Sequence, residues 1–280
     1  MNDGKTKKYF FTGLTHLILI TIAIFWMYPF AWMLSASFKT QQEFFANRLS
    51  LIPETFNLDN IIRVWSMANF GVYFFNTIVV TFFAVILALI MTSMAGYALG
   101  RYDFVGKRLV IGILVGSITL PIVTTIIPVY ELIRSLGLLG TRTGLILAQA
   151  GSGKVIFLLL FAGFFNQLPK ELEDAANIDG CGFFRTFSAI MLPLAKPIAT
   201  TVVIMETIWS WNSFMVPLVL TLGNPASRTL AVGLFAFRGE NTVDWTGIAA
   251  GASISVFPII ILFIFMQRYF VEGIAGAVKS

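Results

Sequence analysis

The run that decides the architecture is residues 71–98, GVYFFNTIVVTFFAVILALIMTSMAGYA, in which no Asp, Glu, Lys or Arg appears. A helix crossing the hydrocarbon of a bilayer needs about 20 apolar residues, and this stretch exceeds that. Working outward, five more segments meet or approach the same length, with approximate limits 13–36, 109–131, 145–166, 197–221 and 247–268. The whole composition agrees. Of 280 residues 57% are hydrophobic and 12% charged, whereas a soluble domain carries about 25% charged residues. So few charges cannot clothe a water-facing surface, and the apolar excess must face lipid. The predicted fold is all-α, a polytopic membrane protein with six transmembrane helices in one domain.

The formal charge of +5 is not a nucleic-acid signal, because lysine and arginine gather at the inner ends of spans. With the amino terminus inside, the inner segments hold Lys5, Lys7, Lys8, Arg101, Lys107, Arg108, Lys170, Arg185, Lys196, Arg268 and Lys279. The outer segments hold Lys39, Arg48, Arg63, Arg134, Arg142, Arg228 and Arg238, and Lys154 falls within a span. This bias predicts both termini in the cytoplasm. The run 13–36 is too long for the apolar part of a signal peptide, and no small-residue cleavage site follows it, so it is read as a retained first span. One cysteine, Cys181, excludes an intrachain disulfide, and one histidine, His16, leaves almost no material for a metal cluster or a histidine-based triad.

The fourth span is interrupted by Gly151-Ser152-Gly153-Lys154. Non-helical backbone at membrane depth is tolerated where protein or a water-filled cavity surrounds it. Two readings stand: a break inside a transport pathway, or a short outer helix followed by a span that begins after Lys154. The stretch is not a phosphate-binding loop, since Ala148 and Val155 stand where that pattern needs Gly and Ser or Thr.

Between the fourth and fifth spans lies the loop 167–193. Pro169 suits a first helical turn, Glu171, Glu173 and Asp174 complement the dipole there, and Gly180 and Gly182 end the helix. Ala175 and Ala176 keep one face thin for a close protein approach. A second helical stretch, about 183–191, leads to Leu192-Pro193. The spacing closely resembles the signature loop of ABC importer membrane subunits: Glu-Ala-Ala, three residues, Gly, nine residues, Ile, one residue, Leu-Pro. Here the positions are Asp174, Ala175, Ala176, Gly180, Ile190, Leu192 and Pro193, and the one departure is Asp174 for Glu. Trp211-Asn212-Ser213-Phe214-Met215-Val216-Pro217-Leu218 resembles a run found in carbohydrate permeases. The carboxyl end, with Gln267, Arg268, Gly276 and Lys279, resembles the tail of the maltose-transporter-type second permease subunit.

The resemblance implies a single permease domain over 1–280 with a C-terminal tail at 269–280. It further implies a coupling helix that docks on an ATPase through Glu171, Asp174, Ala175, Ala176 and Gly180. The tail residues Gln267, Arg268, Gly276 and Lys279 would reach the ATPases. The implied partners are a second permease subunit in a heterodimer, two ATP-binding subunits and an extracellular or periplasmic solute-binding protein, all at a bacterial cell (inner or plasma) membrane. No cofactor is expected on this chain, with ATP and Mg on the partner ATPases, and no catalytic or metal-binding residue. The implied function is ATP-driven sugar import.

Polar groups inside spans are costly and point to function. Glu206 in the fifth span either lines the solute path or pairs with a Lys or Arg of a neighbouring helix. Trp209, Trp211 and Asn212 stand close to it, where sugar contact and core packing are both open readings. Two other function classes compete. An ion-coupled secondary transporter would show internal repeats and several intramembrane acids, and only Glu206 qualifies. A membrane enzyme would need a cluster of nucleophile, base or metal ligands.

Overall fold

The computed structural model describes residues 3–67, 69–235, 237–239 and 243–278. Among the described residues the regular structure is helical: α1 (Asp3–Ala36), α2 (Gln41–Ala46), α3 (Asp59–Met67), α4 (Phe70–Arg101), α5 (Lys107–Ile118), α6 (Ile122–Ser135), α7 (Arg142–Gly151), α8 (Val155–Gln167), α9 (Glu171–Ile178), α10 (Phe183–Thr186), α11 (Leu192–Leu194), α12 (Lys196–Asn212), α13 (Met215–Leu220), α14 (Leu230–Phe235) and α15 (Trp245–Val278). Three helices are long and apolar enough to cross a membrane unbroken: residues 9–36 of α1, α4, and residues 245–265 of α15. Counting each bent helix pair as one span raises the number to as many as six.

Three expectations need correction. The third span, expected as one helix over 109–131, divides into α5 and α6. Pro121 has no N–H to continue the ladder and its ring crowds the preceding turn. The fifth span, expected over 197–221, divides into α12 and α13 at Ser213–Phe214, where Pro217 cannot donate to the carbonyl of Ser213. The stretch expected as a tail from 269 continues the last helix to Val278.

The chain packs as two compact units. In the first, Met1–Phe70 with Leu234–Phe257, the apolar side chains of α1 face away from protein, Phe25 being 79% exposed, as a lipid-facing helix requires. Phe44 of α2 stacks on Trp245 at 6.3 Å between ring centroids. Asp244 caps α15: its Oδ1 accepts from the Gly247 N–H at 2.9 Å, and its Oδ2 pairs with Arg63 of α3 at 2.5 Å. The amide of Asn60 donates to the carbonyls of Ser37 and Lys39 at 3.0 and 2.7 Å, which ties the chain after α1 to α3.

The second unit, Gly71–Gly233 with Pro258–Ser280, is built on α4 and α8. Gly96 and Gly100, one turn apart, let these helices meet backbone to backbone: a Cβ on Gly96 would lie 2.8 Å from the carbonyl oxygen of Leu158, and one on Gly100 would lie 2.6 Å from that of Ala162. Small residues at this spacing are how helices pack in lipid, where apolar burial against a neighbour gains little over burial in acyl chains. Around the contact, Tyr97, Phe157, Phe161, Phe165, Phe187, Met191 and Val202 form the larger buried core. A smaller core of Val80, Ile133, Leu145, Ala148 and Leu220 holds α4, α6, α7 and α13. Beside it the amide of Asn76 donates to the carbonyls of Ala226 and Arg228 at 2.8 and 2.9 Å, while its Oδ1 accepts from Arg142 Nε at 2.7 Å.

Candidate functional site

Two places in the second unit concentrate chemistry. The first is the interruption between α7 and α8. The helices meet at 52°, and Gly153 takes a φ of +69°, a left-handed conformation that costs glycine nothing. Beside the break lies a cavity of about 910 Å³. Its walls come from α4 (Met91, Thr92, Ala95), from the break itself (Gln149 through Ile156), from the end of α5, and from α12 (Trp209, Ser210, Asn212). It is thus bounded by irregular backbone at two broken helices, the arrangement in which such backbone survives at membrane depth.

Lys154 closes one side. Its ammonium pairs with the carboxylate of Glu206 on α12, which is fully buried. Of the two roles open to Glu206, the structure supplies the pairing, and Glu206 is not itself on the cavity wall. The Lys154 ammonium also sits 5.6 Å from the ring of Trp209 and 5.8 Å from that of Phe157, two rings stacked at 5.1 Å. Trp209 and Asn212 line the cavity. Trp211 does not: it is buried edge-on to Phe74 at 6.1 Å. Sequence reasoning did not single out Lys154 as a site residue, although a lone cation inside an apolar span is itself a signal that a counter-charge lies across from it.

The second place is α9. Its carboxyl end is closed by paired backbone bonds, Gly180 N–H to the Asn177 carbonyl at 3.0 Å and Cys181 N–H to that of Ala176 at 2.9 Å. Gly180 stands at φ +74°, and a Cβ added there would meet nothing within 4 Å. Its requirement within this chain is therefore conformational, as in the left-handed glycine cap of a helix. Glu171, Asp174 and Ala175 are exposed, but Ala176 is 2% exposed. The thin face expected over both alanines divides, with Ala175 outward and Ala176 seating α9 on its own chain.

Ile190 and Leu192 also turn inward and pack on the core around Tyr97 and Phe165, whereas Pro193 is exposed. Over Phe187–Met191 the helix widens into a π turn, with the Leu192 N–H reaching the Phe187 carbonyl five residues back. A wider turn accommodates Pro193, whose ring would otherwise meet the carbonyl four residues back.

Glu173, expected from sequence only as a dipole partner, proves to be the anchor of α9. Its Oε1 accepts from the Tyr97 hydroxyl and its Oε2 from Arg101 Nε, both at 2.7 Å. At the carboxyl end Gln267 is exposed on α15, and Arg268 and Gly276 lie on its helical backbone. The side chain of Arg268 and the whole of Lys279 fall outside the described residues.

The match that decides the family spans residues 72–276, against the binding-protein-dependent transport system inner membrane component. The chain belongs to this family. It is accordingly a multi-pass membrane permease, a transport component rather than an enzyme, in a system that works with a solute-binding protein and an ATPase. The ion-coupled alternative finds no support. Among relatives, the Bacillus subtilis (strain 168) protein named Probable ABC transporter permease protein YurM is 36% identical over 278 residues, covering 99% of this chain and 89% of that one. The diacetylchitobiose uptake system permease protein NgcG of Streptomyces coelicolor is 31% identical, covering 96% and 88%. The arabinooligosaccharides transport system permease protein AraQ of Halalkalibacterium halodurans is 35% identical, covering 92% and 93%. A crystal structure of a bacterial ABC transporter involved in import of the acidic polysaccharide alginate shares the fold of the permease, with a TM-score of 0.80 at 24% identity over 94% of this chain and 98% of that one.

Proposed function

We propose that this permease carries a sugar or oligosaccharide across a bacterial cell membrane as one half of a heterodimer, with both termini in the cytoplasm. Two relatives named for oligosaccharide uptake, each at 31% identity or more over at least 92% of the chain, support the solute class. The mechanism rests on one observation above the others: a short helix, α9, stands with Glu171, Asp174 and Ala175 exposed while Glu173 holds it to the end of α4, whose Met91, Thr92 and Ala95 wall the cavity.

In this reading α9 and the 169–193 segment dock on one of two ATP-binding partners, which hold ATP and Mg. Gln267, Arg268, Gly276 and Lys279 meet the same partners. Solute delivered by the binding protein passes the cavity along Trp209 and Asn212. Closure of the ATPases displaces α9 and exchanges an inward-open for an outward-open pathway, a two-state switch biased by nucleotide and solute.

Purification of this chain from native membranes in mild detergent, with the co-purifying chains identified, tests the assembly. A second multi-span chain and an ATPase are expected together. Recovery of this chain alone would overturn the heterodimeric importer.

A further inference from the structure

The side chain of Arg101, the last residue of α4, is 4% exposed and every donor direction of its guanidinium is used. Nε and Nη2 meet Glu173 Oε2 at 2.7 and 2.6 Å. Nη1 donates to the carbonyls of Leu168 and Phe165 at 2.7 and 3.2 Å, and Nη2 to that of Pro169 at 3.3 Å. The last carbonyls of a helix have no partner within it, so one fork caps α8 and grips α9 at once. Tyr97, one turn earlier on α4, takes the other oxygen of Glu173 and is itself fixed among the rings of Phe165, Phe183 and Phe187 at 5.2–5.6 Å. The Gly96–Gly100 contact then locks α4 to α8.

We infer that Arg101 is a positioning residue that transmits displacement of α9 into α4, so that the cavity wall at Met91, Thr92 and Ala95 moves with the coupling helix. The inference rests on the proposed docking of α9. A fork binding two acceptor sets in fixed geometry transmits motion that a single flexible ammonium does not. The clamp reaches the cavity directly, since Ala95 and Met91 lie about two and three turns along α4 from Arg101. The neighbouring acidic group on α9, Glu171, is exposed and makes no such link among the described residues.

The test uses the complete importer in lipid nanodiscs with Cys181→Ser and Met91→Cys, and a polar maleimide as the probe. Labelling is compared between the nucleotide-free and the ATP–vanadate-trapped states. With Arg101 in place the two rates differ by about fivefold or more, the scale of a typical coupling between sites. In Arg101→Lys the difference falls below about twofold while vanadate trapping persists, and Tyr97→Phe gives an intermediate loss. An undiminished difference in both variants overturns the inference, and Tyr97→Phe alone decides it where Arg101→Lys does not assemble. A companion Asn212→Cys on α12 separates the premises. A nucleotide response at position 212 but not at 91 overturns the α4 route and leaves the importer standing, whereas no response at either removes the coupled-importer reading itself.

Discussion

Lys154, at the break between α7 and α8, pairs with Glu206, a fully buried carboxylate in the middle of α12. The pair ties the cavity's broken wall to α12, and its two members are 52 residues apart in the chain.

Removing one member leaves the other charged and uncompensated in a low dielectric. Lys154→Met should destabilise the assembled permease by about 3–5 kcal/mol. Lys154→Met with Glu206→Leu should return to within about 1 kcal/mol of the parent or exceed it, because two apolar groups need no partner. Thermal unfolding in detergent reads both. Additive losses in the double variant would show that the two side chains are not paired.

At Gly180 the demand is on φ. A side chain in that conformation costs about 1–2 kcal/mol, and asparagine tolerates it best of the larger residues. Gly180→Asn should keep most uptake, and Gly180→Val should lose it and uncouple ATP hydrolysis, with membrane insertion intact in both. Equal loss in the two variants would move the demand from this chain's backbone to the surface it docks on.

The α4–α8 contact predicts a contrast between two glycines. Gly100→Ala pushes a methyl against the Ala162 carbonyl, 2.6 Å away, and should cost about 1–3 kcal/mol. Gly163→Ala, in the middle of α8 with nothing within 4 Å, should be neutral or stabilise by up to about 1 kcal/mol. Melting temperatures of the two purified variants give the comparison, and similar values would refute the close approach.

Asp244 both caps α15 and pairs with Arg63. Asp244→Ala should lose about 2 kcal/mol, whereas Asp244→Asn keeps an oxygen for the Gly247 N–H and should lose about half of that. Equal losses would assign the stability to the ion pair rather than to the cap.

Legibility follows the kind of information each feature carries. The spans at 13–36 and 71–98 are readable because apolar length alone defines them, and the loop 169–193 because its residue spacing is local. The breaks at Pro121 and before Pro217 are written in the prolines, but apolar composition continues through them and masks the lost hydrogen bonds. The fourth span's break is visible in Gly151–Lys154, yet whether it borders a cavity is not. Ala176 and Ala175 look alike in sequence, and only the packing of α9 separates the buried one from the exposed one.

Apolar length and local residue spacing are enough to make this chain an all-α membrane protein, to make its loop after the fourth span a capped acidic helix, and to place Glu206 inside a span. The folded packing is what makes Lys154 the partner of Glu206, sets Arg101 and Tyr97 on Glu173, and puts Trp209 rather than Trp211 on the cavity wall. The physical reason is the solvent. A helix in lipid is apolar on every side, so it carries little of the periodic stripe that tells a water-soluble helix which face to bury. Which faces meet then depends on a few small residues and charged groups distant in sequence, and those find one another only in the folded arrangement.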